Sequence, residues 1–166
     1  MKTWFIADTH FGHEQILKYE DRPFTSVDHM GTVLIENWNN AVADEDEVWH
    51  LGDVALVPKL QIIKILAQLK GHKRLVCGNH DKRITNTWWL NHGFEYVQKY
   101  PGMVDLGYAL LSHVPIPNTR KLNIHGHMHA NKHRTMPPGK SNLYSCVSVE
   151  QTGFRPVDLM ELLNRR

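Results

Sequence analysis

The stretch Leu75-Val76-Cys77-Gly78-Asn79-His80-Asp81 joins an apolar run to a cluster of polar side chains. The apolar residues predict a buried strand, and Gly78 lets the backbone turn sharply where a side chain would clash. The Asn-His-Asp group then stands at the carboxyl end of this strand, which is where open α/β sheets usually bind ligands. The stretch therefore predicts a sheet whose edge carries the chemistry of the protein.

Four further segments also place polar groups directly after a short apolar run. They are Ile6-Ala7-Asp8-Thr9-His10, Trp49-His50-Leu51-Gly52-Asp53, Leu110-Leu111-Ser112-His113 and Leu122-Asn123-Ile124-His125-Gly126-His127-Met128-His129. These ends can converge only if their strands share one sheet or lie in facing sheets. We therefore expect a single site built from all of them.

The composition is that of one globular domain, which we expect to span residues 1–166. The net charge of +2 is too small to indicate nucleic acid or a membrane surface by itself. No apolar run approaches the ~20 residues needed to span a bilayer, and Met1-Lys2-Thr3 leads into a strand rather than a signal peptide. Cys77 and Cys146 lie in apolar runs, which predicts buried thiols and a cytoplasmic location.

The chain alternates strands and helices in its first half and is mostly strand in its second half. Ser26 predicts the start of a helix over Val27–Val42, and Pro58 the start of another whose buried face carries Leu60, Ile63, Leu66 and Leu69. We expect Leu143–Val149 to be a strand and Val157–Leu163 a C-terminal helix. This order predicts an α/β fold, a four-layer α-β-β-α sandwich of two mixed sheets.

The polar groups at the strand ends have the oxygen and nitrogen donors that Mn²⁺, Fe²⁺, Ni²⁺ and Zn²⁺ bind. Seven of them are candidate ligands: Asp8, His10, Asp53, Asn79, His113, His127 and His129. One ion cannot use seven protein ligands and still accept a substrate, whereas two ions can if a carboxylate bridges them. Asp53 is the natural bridge because it follows the central strand. Taken singly, a strand-end aspartate is usually a cap and a histidine usually a core or surface residue.

The series Asp8-x-His10, Gly52-Asp53, Gly78-Asn79-His80-Asp81, His113 and Gly126-His127-Met128-His129 resembles the calcineurin-like metallophosphoesterase family. The segment Asp8–His13, with Arg22-Pro23-Phe24 after it, is similar to a small bacterial and phage branch of that family. The resemblance implies two divalent cations, Mn²⁺ foremost. It also implies that Asp8, His10 and His129 hold the first, that Asn79, His113 and His127 hold the second, and that Asp53 bridges them.

The implied activity is hydrolysis of phosphodiester or phosphomonoester bonds in a small or nucleotide-like substrate by a metal-bridging hydroxide. His80 adjoins Asn79 too closely to be a comfortable ligand of the same ion. We expect it to contact the phosphate and protonate the leaving group, with Asp81 orienting its ring. His13 and Arg22 are candidate substrate contacts, although either one could instead be structural.

Other features leave alternatives open. Lys132, His133 and Arg134 could bind a polyanionic substrate or form a solvated charged loop, and we expect His50 and His125 to face the core. The chain has no obvious inserted cap domain, which argues against long nucleic acid as the substrate. A non-catalytic metal-binding scaffold with the same fold is the alternative function, although such a scaffold tends to lose the histidine that stands here at position 80.

Overall fold

The computed structural model describes residues 1–131 and 141–164, so the predictions for Lys132, His133 and Arg134 lie outside the described residues. The first half of the chain contains β1 (Thr3–Ile6), α1 (Glu14–Tyr19), α2 (Val27–Ala41), β2 (Glu47–His50), α3 (Lys59–Leu66), β3 (His72–Val76), α4 (Asn86–Asn91) and β4 (Tyr96–Gln98). The second half contains β5 (Met103–Asp105), β6 (Ala109–Ser112), β7 (Leu122–His125), β8 (Tyr144–Cys146), α5 (Val149–Thr152), β9 (Val157–Asp158) and α6 (Leu159–Asn164).

The strands form two mixed sheets. The first has the order β4-β3-β2-β1-β9, in which only β9 is antiparallel to its neighbour. The second has the order β5-β6-β7-β8, in which only β5 is antiparallel. These sheets, with six α-helices among the described residues, confirm the predicted α/β fold, which is consistent with the calcineurin-like phosphoesterase sandwich.

Side-chain alternation along the strands divides the core into two layers. In β1, Trp4 and Ile6 pack in a cluster with residues of α2, α3 and α4. Phe5 points the other way, into a cluster that also holds Leu111 and Ile124 of the second sheet. The two sheets therefore face each other, with helices covering the outer face of the first.

The helices confirm some of the predicted faces and correct others. Ser26 caps α2, because its hydroxyl accepts a hydrogen bond from the His29 amide, and α2 buries Met30, Leu34 and Trp38. The predicted face of α3 was wrong in part, since Leu60 is 65% exposed. The buried face is formed instead by Ile62 and Leu66, spaced at i and i+4, and is continued by Leu69.

The C-terminal predictions are also corrected. Val157 and Asp158 do not start a helix but pair antiparallel with β1, and the helix begins at Leu159. The predicted strand over Leu143–Val149 is shorter, since β8 ends at Cys146 and Val149 begins α5. Among the described residues, no helix combines the length and apolarity that crossing a membrane requires.

Both sheets present the carboxyl ends of their parallel strands at one edge of the molecule. An isolated parallel bridge between Ala7 and Ser148 ties the end of β1 to the segment after β8. Further backbone hydrogen bonds join the segments after β1 and β2, from the Asp8 amide to the Gly52 carbonyl and from the His10 amide to the Asp53 carbonyl. The predicted ligands lie on these joined segments.

Candidate metal centre

Four predicted ligands form a buried floor, which consists of Asp8, His10, Asp53 and His113. Each is at most 2% exposed. The Nε2 atoms of His10 and His113 each lie 3.5 Å from the same Asp53 oxygen, Oδ2. A single carboxylate oxygen therefore faces one histidine from each of the two predicted metal sites.

The other three predicted ligands border this floor. His113 Nε2 lies 3.0 Å from Asn79 Oδ1 and 3.2 Å from His127 Nδ1. His129 Nε2 lies 3.9 Å from Asp8 Oδ1. Candidate ligand atoms lie within 4.8 Å of one another in three sets. Two share Asp8, namely Asp8 with His10 and His129, and Asp8 with Asp53 and His113; the third is Glu20 with His129 and Glu150. The structure thus brings all seven predicted side chains to one place.

The tautomer of His113 shows why this arrangement suits a cation. Its Nδ1 donates a hydrogen bond to the Leu51 carbonyl at 2.8 Å, so Nε2 of the neutral ring carries a lone pair. That lone pair faces two further acceptors, Asn79 Oδ1 and Asp53 Oδ2. A positive ion between these three atoms would be bound by all of them.

Buried ligand atoms without partners support the same conclusion. Within the described part of the chain, Asp8 Oδ1 and both ring nitrogens of His10 are buried and have no hydrogen-bond partner. Leaving such atoms unpaired costs roughly 1–3 kcal/mol each, so native structures seldom do so without a reason. The donor set of carboxylate, amide and imidazole fits a divalent transition metal.

The backbone of the ligand segments is strained. Five of the predicted ligands have left-handed φ values, which are 59° for Asp8, 48° for His10, 57° for Asp53, 69° for His127 and 49° for His129. This region is uncommon for residues other than glycine, and such strain is concentrated at functional sites. The conformation turns each side chain into the site directly after its strand has ended.

Two glycines allow the segments to approach this closely. A Cβ atom on Gly126 would come within 2.6 Å of both Ala7 Cβ and Asp8 Oδ2. A Cβ atom on Gly78 would come within 2.6 Å of the Asp53 amide nitrogen. The glycines of the Gly-Asn-His-Asp and Gly-His-Met-His segments are therefore required by the packing of one ligand segment on another.

Burial also sets the protonation of the floor. It raises the pKa of Asp8 to about 6, although His113 and His129 act in the opposite direction. It lowers the pKa of His10 strongly, with help from the neighbouring histidines and Arg22. Burial and His113 likewise lower the pKa of His127. Neutral imidazole is the form that binds a metal, so these histidines are prepared as ligands.

Asp81 does not orient the His80 ring as we expected. Its carboxylate is buried and accepts hydrogen bonds from the amides of Asp53, Val54 and Gly78, at 2.7, 3.0 and 2.7 Å. These amides use three of the roughly four acceptor sites of the carboxylate, and within the described structure no hydrogen bond joins it to the His80 ring. Asp81 instead joins the segment after β2 to the segment after β3, and so positions the Asp53 carboxylate.

His80 lies at the open side of the floor. Its amide donates a hydrogen bond to Asp53 Oδ1 at 2.9 Å, while its side chain is 42% exposed and its Nε2 lies 4.0 Å from Asp53 Oδ2. The ring of His13 lies nearby, 6.4 Å from the His80 ring and 5.4 Å from the His10 ring, measured between centroids. Both histidines border the site from the solvent side.

Arg22 is not placed to bind substrate, which corrects that prediction. Its guanidinium is buried and donates to the carbonyls of Asp8 and Thr9, at 2.7 and 3.0 Å. It also pairs with Glu150 at 2.6 Å. Since none of this group reaches solvent, Arg22 instead holds the segment that carries Asp8 and His10.

The structure adds two residues that the sequence did not single out. Glu150 Oε1 accepts a hydrogen bond from His129 Nδ1 at 3.0 Å, which leaves His129 Nε2 free as a ligand atom. Ser148 donates to Asp8 Oδ2 at 2.7 Å. The one signal in the sequence that could have indicated them was their position directly after β8, which is parallel to β7 in the second sheet.

Glu150 and His129 shift each other's protonation. Burial by itself lowers the pKa of His129, but the hydrogen bond with Glu150 and the charge of Asp8 outweigh it, so the net shift is upward. Burial by itself raises the pKa of Glu150, but His129 and Arg22 outweigh it, so the net shift is downward. The pair therefore resembles the carboxylate–histidine arrangement that often supports a metal ligand.

His50 and His125 are both buried, as we expected. The ring of His50 lies 2.9 Å from Thr9 Oγ1, and burial lowers its pKa to about 3. His125 Nδ1 lies 2.9 Å from the Gly126 carbonyl oxygen. Both residues pack beside the ligand segments. Neither belongs to any of the sets of candidate ligand atoms that lie within 4.8 Å of one another.

Comparison with known proteins finds similar chains without an assigned function. No family model matches the sequence. The uncharacterized protein MJ1445 of Methanocaldococcus jannaschii is 36% identical over 169 residues, covering 95% of this chain and 87% of that protein. The gene 66 protein of Mycobacterium phage L5 is 27% identical over 163 residues and covers 77% of each chain.

Two solved structures share the fold. A protein of unknown function from Aquifex aeolicus, AQ665, superposes with a TM-score of 0.73 at 26% identity and covers 99% of both chains. The nuclease MPE of Pseudomonas putida superposes with a TM-score of 0.55 at 19% identity, covering 76% of this chain and 61% of the nuclease. At that identity the nuclease is evidence for the fold alone.

Proposed function

We propose that this chain, which belongs to the family of the uncharacterized protein MJ1445 of Methanocaldococcus jannaschii, is a metal-dependent phosphoesterase of the calcineurin-like type. One observation carries the proposal: Asp53 Oδ2 faces two histidines at 3.5 Å beside buried, unpartnered atoms of Asp8 and His10. Such an arrangement is costly without a cation and useful with one. The likeness to a phage protein supports assignment to the small bacterial and phage branch.

The proposed centre holds two divalent cations, with Mn²⁺ as the first choice and Fe²⁺, Ni²⁺ or Zn²⁺ as alternatives. Asp8, His10 and His129 would hold the first, Asn79, His113 and His127 would hold the second, and Asp53 would bridge them. When bound, such ions lower the pKa of a water molecule and draw charge from phosphate oxygens. The protein's own contribution is to hold its ligand atoms in place through Asp81, Arg22, Ser148 and Glu150.

His80 is the proposed general acid. The hydrogen bond from its backbone amide to Asp53 fixes the position of the His80 backbone. Its half-exposed side chain faces the side from which a substrate would enter. A protonated ring there can donate its proton to the departing oxygen of a phosphate ester. His13 borders the same opening and is proposed as a contact to the phosphate.

The proposed substrate is a small or nucleotide-like phosphate ester, either a monoester or a diester. The solved protein named as a nuclease shares the fold, which is in line with a nucleotide-type substrate. We further propose that residues 1–166 act as one domain in the cytoplasm. In support, Cys77 and Cys146 are free thiols, and burial raises their pKa values to about 12 and about 11.

The test is a panel of phosphomonoesters, phosphodiesters and cyclic nucleotides, assayed on metal-stripped protein reloaded with Mn²⁺, Ni²⁺ or Zn²⁺. We expect about two ions per chain by elemental analysis, and hydrolysis that disappears with chelation. A folded preparation that carries its metals and cleaves no phosphate ester would instead support the non-catalytic scaffold.

A further inference from the structure

Two cavities lie on either side of Tyr100. One, of about 350 Å³, is lined by the segments 100–103 and 112–117. The other, of about 280 Å³, is lined by Cys77, the segment 82–86, Lys99 and Tyr100. Tyr100 is the residue that lines both cavities, and the rest of their linings differ in chemistry.

Both cavities lie at the edge of the molecule that carries the metal ligands. Cys77 follows β3 and Lys99 follows β4, which are parallel neighbours in the first sheet. His113, a ligand in the proposed centre, lines the larger cavity, and its ring centroid lies 6.3 Å from that of Tyr100. The chain that links Cys77 to Lys82 carries Asn79 and His80, so the lining of the smaller cavity includes both ends of this segment.

The larger cavity is apolar. Met103 and Val114 are 56% and 39% exposed there, and Pro115, Ile116 and Pro117 complete much of the lining. A concave apolar space with an aromatic wall suits a flat, uncharged ring system. It would bind a group that stacks, and it offers little to a second phosphate.

The smaller cavity is basic. Lys82, Arg83 and Lys99 line it, and its described lining contains no acidic residue. All three side chains belong to exposed residues, and nothing in the described structure pairs them with a carboxylate. This space therefore matches an anion, and its place at both ends of the segment that carries Asn79 and His80 points to a phosphate other than the one being cleaved.

We infer that the substrate is a single-stranded oligonucleotide with at least one phosphate beyond the scissile one, an inference that rests on the proposed function. An unpaired base occupies the apolar cavity against the Tyr100 ring, and a neighbouring phosphate lies against Lys82, Arg83 and Lys99. Bases stack on aromatic side chains whatever their sequence, so the site selects a strand rather than a particular base. A substrate with one phosphate and no base uses only the metal centre.

The experiment compares two substrates on the Mn²⁺-loaded full chain. One is bis(p-nitrophenyl) phosphate, and the other is a hexanucleotide, tested as DNA and as RNA. For the double variant Lys82→Ala/Arg83→Ala we expect KM for the hexanucleotide to rise about tenfold more than KM for the model diester. Since a phosphate contact on a single strand contributes about 0.7 to the logarithmic salt slope, and one phosphate lies against these cations, that slope should fall by up to about 0.7. The matched control Lys64→Ala/Lys70→Ala, with Lys64 on α3 and Lys70 four residues beyond its end, should change neither substrate's KM.

Tyr100 provides a second, independent variant. Tyr100→Phe keeps the ring and should preserve the preference for the hexanucleotide, whereas Tyr100→Ala should reduce it about tenfold. Equal effects of every variant on both substrates, with the model diester still cleaved, would overturn this inference and leave the proposed function intact. Failure of the wild type to cleave either substrate would overturn the proposed function itself.

Discussion

The buried floor of the site differs from its rim, which we define as His13, Asn79, His80, His127 and His129. No floor residue exceeds 2% exposure, whereas the His80 side chain is 42% exposed. The floor contains unpartnered ligand atoms of Asp8 and His10, and its backbone is tied across strands by hydrogen bonds. Under the proposed function the contrast separates two tasks: the floor would hold cations, and the rim would complete their coordination and meet a substrate.

The contrast between floor and rim also distinguishes the two proposed metal sites. The first draws Asp8 and His10 from the floor, and its rim ligand, His129, is held by Glu150 and is only 15% exposed in its side chain. The second draws Asn79 and His127 from the rim, where His127 is exposed. Because preorganised, buried ligands bind more tightly, we expect titration of the metal-free protein to show a stronger and a weaker site.

The largest expected effect comes from removing the residue that faces both sites. Asp53→Ala should remove most of the bound metal and lower kcat by more than the roughly 10–100-fold that losing an outer-shell partner costs. Elemental analysis and steady-state kinetics measure both quantities. Asp44→Asn, in an exposed turn, is the matched control and should change neither. An Asp53→Ala protein that keeps two metals would contradict the bridging role.

A rim residue should give a different result. His80→Ala should lower kcat by about 10²–10⁴-fold, which is the usual contribution of a general acid, while metal content stays near two per chain. Metal analysis and rate must be measured on the same preparation. If the rate per bound metal pair is unchanged and metal is lost, His80 belongs functionally to the floor and the distinction fails.

A smaller effect is expected from the group that supports a ligand without touching the metal. Glu150→Gln should weaken binding of the first metal by about tenfold, because the hydrogen bond to His129 loses its charge. Competition with a fluorescent chelator measures this affinity. Glu14→Gln, on exposed α1, controls for the loss of a surface charge and should leave the affinity unchanged. Equal metal affinities for both variants and the wild type would remove Glu150 from the support of the site.

The same contrast explains what could be predicted from the sequence. The floor ligands follow apolar runs and so were found from local pattern alone. Arg22 and Asp81 were assigned the wrong partners, because a charged residue is exposed by default and their true partners are backbone groups distant in sequence. Glu150 was missed because one glutamate at the start of a short helix resembles many others. The predictions for Leu60 and Val157 were wrong because the local sequence fits more than one arrangement. Contacts with neighbouring elements decide which face of α3 is buried and whether Val157 lies in a strand or a helix.

An effect on stability rather than on the metal centre is expected from a buried carboxylate outside the site. Burial raises the pKa of Asp8, but Asp46 accepts hydrogen bonds from the Lys2 amide, the Trp4 indole and the Ala43 amide, which lower the pKa of Asp46. A lowered folded pKa contributes stability above the unfolded pKa that is lost as pH falls through the folded pKa. Asp46→Asn should therefore lower the free energy of unfolding by about 1–3 kcal/mol at pH 7. In urea titrations of metal-free protein, this difference should narrow below about pH 4. If the free energies of unfolding of the wild type and Asp46→Asn differed by the same amount at every pH, the charge of Asp46 would not stabilise the fold.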